Sequence, residues 1–258
     1  MRLFKLLTIF VSLLFLNMYR WSHIACIVLL IAIQSCTSPC QKRLADIESY
    51  IQDRPDSALL VLESISPDDM KTVGDAARFS LLHTMAIDKN YIDTADISLI
   101  MPAVTYYSKD RDSDEYMKAM FYLGRLNRHA NNCQDAIVAS MIAKDIAGKA
   151  GDLYWEAMAA SEIAYTYSWN YISEEELAYI LEAHNLWTEY GDPARIAKSM
   201  SNLATAYANV GEYYKADSLL ADLCVSYPED CSYVVKRAHN ALKIRDYDSG
   251  VIVKWFEE

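Results

Sequence analysis

The chain is poor in glycine and proline, with 7 glycines and 6 prolines among its 258 residues. Both residues interrupt regular elements or build tight turns, so their scarcity disfavours folds made of many short strands and favours long helices. Basic residues are also outnumbered, because 24 lysines and arginines face 35 aspartates and glutamates, for a net charge of −11. Nucleic-acid binding demands a basic surface, so this balance argues against a nucleic-acid partner.

The sequence also lacks the motifs of common enzyme chemistries. It contains no phosphate-binding glycine loop, no nucleophile elbow and no pair of zinc-binding histidines one helical turn apart. After the N-terminal segment the histidines are His83, His129, His184 and His239, and none stands at ligand spacing from another histidine or a cysteine. We therefore predict a protein that is not an enzyme and that needs no metal or cofactor.

The first 35 residues contain no acidic residue and hold two apolar runs, 3–16 and 24–33. Neither run reaches the roughly 20 residues that cross a bilayer comfortably, and the second has the length and flanks of a secretory signal. We predict a signal peptide over 1–35, with a true start at Met18; a single long signal and a membrane hairpin are the alternatives. Removal of its three basic residues takes the net charge from −11 to −14.

Ile33-Gln34-Ser35-Cys36 follows the second apolar run and resembles a bacterial lipobox, although Gln34 is larger than the residue usually found there. The resemblance implies that Cys36 carries the lipid, palmitate included, and that 36–40 is a linker. Thr37 and Ser38 lack the acidic residue of an inner-membrane retention signal. The expected location is therefore the bacterial cell envelope, with a lipid anchor in the outer membrane; a secreted protein and an uncleaved anchor are the alternatives.

Small residues recur at one phase every 40 positions, at Thr84, Gly124, Ala164 and Ala204. A second series stands nineteen residues later and comprises Ala103, Ala143, Ala183 and Leu223. Turn signals at a common phase, such as Gly151-Asp152 and Gly191-Asp192-Pro193, separate the segments. A fixed period of this length predicts an all-α array of helix pairs, whose small side chains let paired helices touch.

The copy over 200–228 resembles a tetratricopeptide repeat (TPR). The family's positions are matched by Asn202-Leu203-Ala204, Tyr207, Gly211, Tyr213, Ala216 and Pro228, while Met200 replaces the tryptophan and Leu223 the late alanine. The resemblance covers about 75–230 and implies a TPR-like α-solenoid of antiparallel helix pairs, here with a period of about 40 residues. The stretch from Arg54 resembles TPR lipoproteins of the Bacteroidota, in which it marks an N-terminal capping pair. The expected domain spans 41–258, with a cap pair at 41–66, repeats at about 75–230 and a C-terminal cap at 231–258.

In a TPR array the first helix of each pair lines a concave groove, so the resemblance also implies a binding surface. The candidate residues are Arg78, Lys118, Phe121, Arg125, Arg128, Tyr165, Trp169, Lys198 and Asn209. Six of the positions expected to face the groove carry lysine or arginine and one carries aspartate, which predicts a basic trough suited to an acidic peptide. Arg125 and Arg128 would cradle a carboxylate. The alternative is that these are solvated helix residues, and that Phe121 and Trp169 pack on neighbouring pairs.

Together these patterns predict an envelope-anchored scaffold that binds a protein or peptide partner in its groove. One alternative is a sensing or accessory module of an envelope signalling system. Another is a glycan-capture lipoprotein of nutrient uptake, for which the aromatic rings between Trp155 and Trp187 would be exposed. Cys224 and Cys231 flank a turn, and the distance between them decides whether they form a disulfide or remain two buried thiols.

Overall fold

The structure, a computed structural model, describes residues 38–244, which form α-helices and two short 3-10 helices, Pro67–Asp69 and Ile97–Leu99. The α-helices are α1 (Pro39–Tyr50), α2 (Pro55–Glu63), α3 (Val73–Lys89), α4 (Met101–Tyr107), α5 (Asp114–His129), α6 (Cys133–Ala150), α7 (Leu153–Trp169), α8 (Ser173–Tyr190), α9 (Pro193–Asn209), α10 (Tyr213–Ser226) and α11 (Cys231–Ile244). The predicted signal peptide, Cys36 and the last part of the predicted C-terminal cap lie outside the described residues.

Each helix packs against the next one along the chain, and the first helices α1, α3, α5 and α7 also contact one another in series. Three successive pairs, α5–α6, α7–α8 and α9–α10, begin at residues 114, 153 and 193. This confirms the predicted all-α solenoid with a period of about 40 residues.

Local signals explain where these helices stop and start. Gly151 and Gly191 follow α6 and α8 with φ of +70° and +84°, a left-handed conformation that costs glycine little and other residues more. The next residue in each case caps the following helix. The side chain of Asp152 accepts a hydrogen bond from the Trp155 N–H at 3.1 Å, and that of Asp192 caps α9, where Pro193 takes the first position.

The small residues of the repeat lie where paired helices cross. Gly124 on α5 is buried against α6, and a Cβ atom placed there would stand 3.2 Å from the Ala136 carbonyl and against the Ser140 side chain. Ala164 and Ala204 lie at the equivalent contacts with α8 and α10, and Thr84, at the same phase of the repeat, is buried as well. Small side chains therefore set how closely the helices of a pair approach.

The first full pair departs from this regularity. Three residues join the two helices of each later pair, at 130–132, 170–172 and 210–212, whereas residues 90–100 join α3 to α4. The longer connection takes the place of part of the second helix, so that α4 has 7 residues whereas its counterpart α6 has 18. Residues of this connection lie beside α3 and α5.

Candidate functional site

Two neighbouring cavities open beside the first helices and share the side chain of Arg125. The α3–α5 cavity, of about 270 Å³, is lined by Thr84, Ile87, Asp88, Tyr91, Ile92, Asp93, Thr94, Tyr122, Arg125, Leu126 and His129. The α7–α9 cavity, of about 160 Å³, lies between α5, α7, α8 and α9. Each cavity has room for part of a bound segment, such as a side chain, rather than for a larger ligand.

The arginines predicted to cradle a ligand carboxylate are already paired with carboxylates of the protein. Arg128 donates from Nε to Glu162 Oε1 at 2.5 Å. Arg125 Nε lies 2.8 Å from Asp88 Oδ1 and 3.8 Å from Glu162 Oε2. Two guanidinium groups and two carboxylates thus form a cluster without net charge, which corrects the prediction that Arg125 and Arg128 make the groove basic.

Burial decides the electrostatics of this cluster. The Glu162 side chain is 2% exposed and that of Arg128 is 9% exposed, so water screens their attraction poorly. Burial lowers the pKa of Arg125, but the carboxylates of Glu162 and Asp88 outweigh it, and the pKa lies above its ordinary value. Burial raises the pKa of Asp88, and Arg125 compensates only in part.

The contact between Arg125 and Asp88 is an ion pair without hydrogen-bond alignment. The Arg125 Nε atom is shielded from water and has no hydrogen-bond acceptor in residues 38–244, despite the 2.8 Å separation. Asp88 also lines the α3–α5 cavity.

Other predicted groove residues also serve contacts within the protein. Arg78 pairs with Glu48 of α1, and Lys118 pairs with Asp114 one helical turn before it. Phe121 is 1% exposed, with its ring centroid 5.3 Å from that of Trp155. Phe121 therefore packs on the neighbouring pair, as the alternative interpretation held.

The remaining predicted residues lie at or near the surface. Trp169 is 58% exposed and the Arg128 guanidinium lies 5.6 Å from its ring centroid. The Tyr165 hydroxyl accepts a 2.8 Å hydrogen bond from Asn202, and Asn209 donates to Glu176 at 3.0 Å. Lys198 is exposed and lines the α7–α9 cavity.

The α7–α9 cavity retains positive charge that the sequence alone did not locate. Its charged lining residues are Glu162, Arg125, Arg195 and Lys198, so two positive charges are in excess. Arg195 comes from the first turn of α9, and its guanidinium lies 4.8 Å from the ring centroid of Trp187. The sequence analysis missed Arg195, because it precedes the positions that the family resemblance assigns to the groove. It also missed Glu162, for which the only indication in the sequence is a single charged residue within an apolar run.

Most of the large aromatic rings fill space between helices. Trp155 and Trp187 are buried, and Tyr154 contacts both rings edge-on at 5.5 and 5.6 Å. Only Trp169 and Tyr171 in this region present strongly exposed rings at the turn after α7. Buried rings oppose the glycan-capture alternative, which requires flat exposed surfaces.

One pair of polar side chains beside the α7–α9 cavity resembles the start of a catalytic dyad. Ser199 Oγ lies 2.8 Å from His184 Nδ1 and also donates to the Ile196 carbonyl at 2.8 Å. With that donation made, the hydroxyl accepts from the protonated Nδ1 and is not poised to lose its proton. Burial lowers the pKa of His184, so the ring is neutral near pH 7 and both groups are satisfied.

Cys224 and Cys231 are both free thiols in the structure. Cys224 is partly buried, and burial raises its pKa, whereas Cys231 is exposed at the start of α11. Residues 38–244 contain no group of three or more histidine, cysteine, aspartate or glutamate side chains placed to hold a metal ion. Over the same residues no helix is both long enough and apolar enough to span a membrane.

Comparison with known proteins shows the fold. No family model and no curated protein matches the chain. A signal-transduction ATPase with numerous domains and a tetratricopeptide repeat sensor, from Pyrococcus horikoshii, matches with a TM-score of 0.64 and 14% identity, over 88% of this chain and 38% of that one. The apo form of RapI matches with a TM-score of 0.63 and 16% identity, over 83% and 62%.

A third structure, a thermophilic TPR protein from Thermus thermophilus, matches with a TM-score of 0.50 and 17% identity, over 79% of this chain and 99% of that one. The first and the third are named as tetratricopeptide-repeat proteins, and identities this low carry information on the fold alone. The protein therefore has a TPR-like α-solenoid fold.

Proposed function

We propose that the protein is a non-enzymatic scaffold that binds an extended acidic segment of a protein or peptide along its groove face. The observation that supports this most is the α7–α9 cavity, where Lys198 has no ion-pair partner within residues 38–244 and Arg195 only approaches Asp192, outside the lining, at 3.8 Å. The chain as a whole carries −11, so this cavity differs in sign from the average surface. An anionic segment is attracted here and repelled elsewhere, which favours a defined register.

The walls of the cavity suit a segment that also carries apolar side chains. Phe121, Met158 and Trp187 supply apolar surface, and the Tyr165–Asn202 hydrogen bond supplies polar atoms beside it. Affinity in peptide grooves comes from a few buried anchors surrounded by polar contacts. We expect a segment in which an aspartate or glutamate stands next to an aliphatic or aromatic residue.

Charge reversal at Lys198 tests this proposal. Lys198 is exposed, so Lys198→Glu leaves the core intact while it changes the charge of the cavity by two units. We expect the affinity for acidic, aromatic-containing peptides, measured by fluorescence anisotropy, to fall about tenfold or more. Lys149→Glu on α6 makes the same charge change outside both cavities. Equal binding by Lys198→Glu and Lys149→Glu would exclude this site.

Arg125 and Arg128 are unsuitable for the same test. Reversal of either charge would place a second carboxylate beside Glu162 in a buried cluster, and the loss of binding would reflect destabilisation of the fold. Arg195→Gln is the better companion to Lys198→Glu, because it removes a charge and keeps much of the side chain that lies on Trp187.

We further propose that a lipid on Cys36 anchors the scaffold to the outer membrane of a bacterial envelope. Near the start of α1, Gln41 Nε2 donates to Asp75 Oδ1 in the first turn of α3 at 2.9 Å, so the described chain begins at the edge where the first helices start. An anchor a few residues earlier would hold the solenoid by that edge. Metabolic labelling with palmitate should mark the wild type and not Cys36→Ser, and label on Cys36→Ser would refute the assignment.

A sensing or accessory role in a signalling system is the second candidate. It is favoured by the fold match to the Pyrococcus horikoshii protein, whose TPR part is named a sensor. The two roles differ in consequence, because a sensor must change a second protein when its groove is filled. Co-purification of a membrane partner whose association depends on added acidic peptide would favour the sensor.

A further inference from the structure

The α3–α5 cavity exists because the repeat is interrupted. Residues 90–100 join α3 to α4, and Tyr91, Ile92, Asp93 and Thr94 from this connection line the cavity. Each later pair closes with three residues and forms no such wall. A connection longer than its counterparts, folded over a cavity, is the kind of departure from regularity that functional sites require.

The cavity also offers a polar atom to a bound group. Tyr122 is 3% exposed and lines the cavity, and no hydrogen bond within residues 38–244 involves its hydroxyl. The hydroxyl oxygen is therefore available to a group bound in the cavity. Burial keeps the pKa of Tyr122 well above its ordinary value, and the oxygen is therefore a neutral acceptor.

The charges that line the cavity favour a cation. Asp88 and Asp93 contribute two negative charges, and Arg125 contributes one positive charge that it shares with Glu162. His129 is neutral near pH 7, because burial and the adjacent Arg128 both lower its pKa. The lining thus carries a net charge of −1, opposite in sign to the lining of the α7–α9 cavity.

We propose that the α3–α5 cavity binds an aliphatic primary ammonium group. An ammonium has three N–H donors and no acceptor, and the cavity offers the carboxylates of Asp88 and Asp93 and the hydroxyl oxygen of Tyr122 as acceptors. Ile87, Ile92 and Leu126 supply the apolar wall along which methylene groups lie. The volume of about 270 Å³ accommodates such a group.

Two sources present this chemistry, a lysine side chain of a segment lying in the groove and a small free amine. The lysine source rests on the proposed function, whereas the free amine does not. If the ammonium group belongs to a lysine of a bound segment, the groove selects segments by the order of their charges. A basic side chain then occupies the α3–α5 cavity and an acidic side chain occupies the α7–α9 cavity. Arg125, which lines both cavities, would separate the two opposite charges.

Titration of the full chain with butylammonium, followed by NMR, tests the cavity directly. Butyrate and butanol serve as probes of the same length with negative and no charge. We expect saturable shifts with butylammonium alone, and at least about tenfold weaker binding to Asp93→Asn. The Asp93 side chain is 90% exposed and only approaches His129 at 3.8 Å, so its substitution leaves the fold intact. Asp112→Asn, in the loop after α4, is the matched control.

Tyr122→Phe removes only the hydroxyl group and is expected to weaken the binding of butylammonium severalfold, with the circular dichroism spectrum unchanged. The proposal is overturned if butylammonium does not saturate, if butyrate binds as well, or if Asp93→Asn and Tyr122→Phe both bind like the wild type. A peptide with blocked termini and one lysine, and the same peptide with acetyl-lysine, are then tested as competitors of butylammonium. Competition by the lysine peptide alone identifies a lysine side chain as the natural ligand, whereas no competition by either peptide identifies a small free amine. Lys198→Glu leaves butylammonium binding unchanged, so failure of the acidic-segment proposal is scored separately.

Discussion

Among substitutions that hardly change the shape of a side chain, we expect Glu162→Gln to destabilise the protein most. Glu162 pairs with Arg128 at 2.5 Å and approaches Arg125 at 3.8 Å, and both carboxylate and guanidinium of the closer pair are buried. Glutamine keeps an acceptor for Arg128 but removes the charge. Breaking a buried ion pair by removal of one partner costs about 3–5 kcal/mol, because the other charge stays buried without compensation.

The lower end of that range applies here. Arg125 keeps Asp88, and Arg128 keeps the face of Trp169 at 5.6 Å. We expect a loss of about 3 kcal/mol in the free energy of unfolding, which is a fall of about 6–12 °C in Tm for a domain of this size. Urea unfolding followed by far-ultraviolet circular dichroism and by tryptophan fluorescence measures the loss.

Two comparisons make this expectation refutable. Asp145→Asn breaks an exposed pair with Lys149 and should change stability little. Asp88→Asn should cost less than Glu162→Gln, because burial already raises the pKa of Asp88 and disfavours its charge. If Glu162→Gln is no more destabilising than Asp145→Asn, the cluster is not a buried electrostatic unit and the reasoning fails.

Three further predictions follow from the helix contacts and the pKa shifts. Gly124→Ala should destabilise by about 1–3 kcal/mol in urea unfolding, because the added methyl meets α6. The folded-state pKa values of His129 and His184 are lowered, so the unfolded chain binds more protons and Tm should fall as pH drops below about 6.5. Cys231 should react with a thiol reagent before Cys224, whose pKa burial raises, as mass spectrometry of the modified chain would show.

Each of these has its own control. Ser140→Ala should recover part of the loss in Gly124→Ala, since the Ser140 side chain is one of the atoms that the methyl meets; equal stability of Gly124→Ala and wild type would contradict the close crossing. His184→Gln should flatten the Tm profile between pH 7.5 and 5.5, and an unchanged slope would contradict the histidine assignment. Equal rates for the two thiols would contradict the burial of Cys224.

Sequence reasoning reached the fold because the decisive features are local and repeat. Gly151 and Gly191 adopt positive φ and end helices, and the aspartates after them cap the next ones. At position 124 the two helices of a pair cross so closely that a small residue is required. The length of the 90–100 connection was less accessible, because a helix can stop early without a distinctive residue at the point where it stops.

The site was predicted less well, and the reason is the separation of its partners along the chain. The resemblance assigned Arg125 to the groove, and in the structure its side chain lines both cavities. It could not assign Asp88 and Glu162 as its partners, since each comes from a different helix. Arg195 was missed because a guanidinium reaches further than its position in the helix indicates.

The amino-acid sequence by itself determined the class of fold and the period of the helix pairs, since these depend on residue type and spacing. Only the tertiary structure decided the sign of charge in each cavity. Arg128 and Glu162 stand 34 residues apart, and their pairing depends on how α5 packs beside α7. Spacing assigns a side chain to a helix face, but the burial and the neighbours that determine its charge arise from contacts between helices.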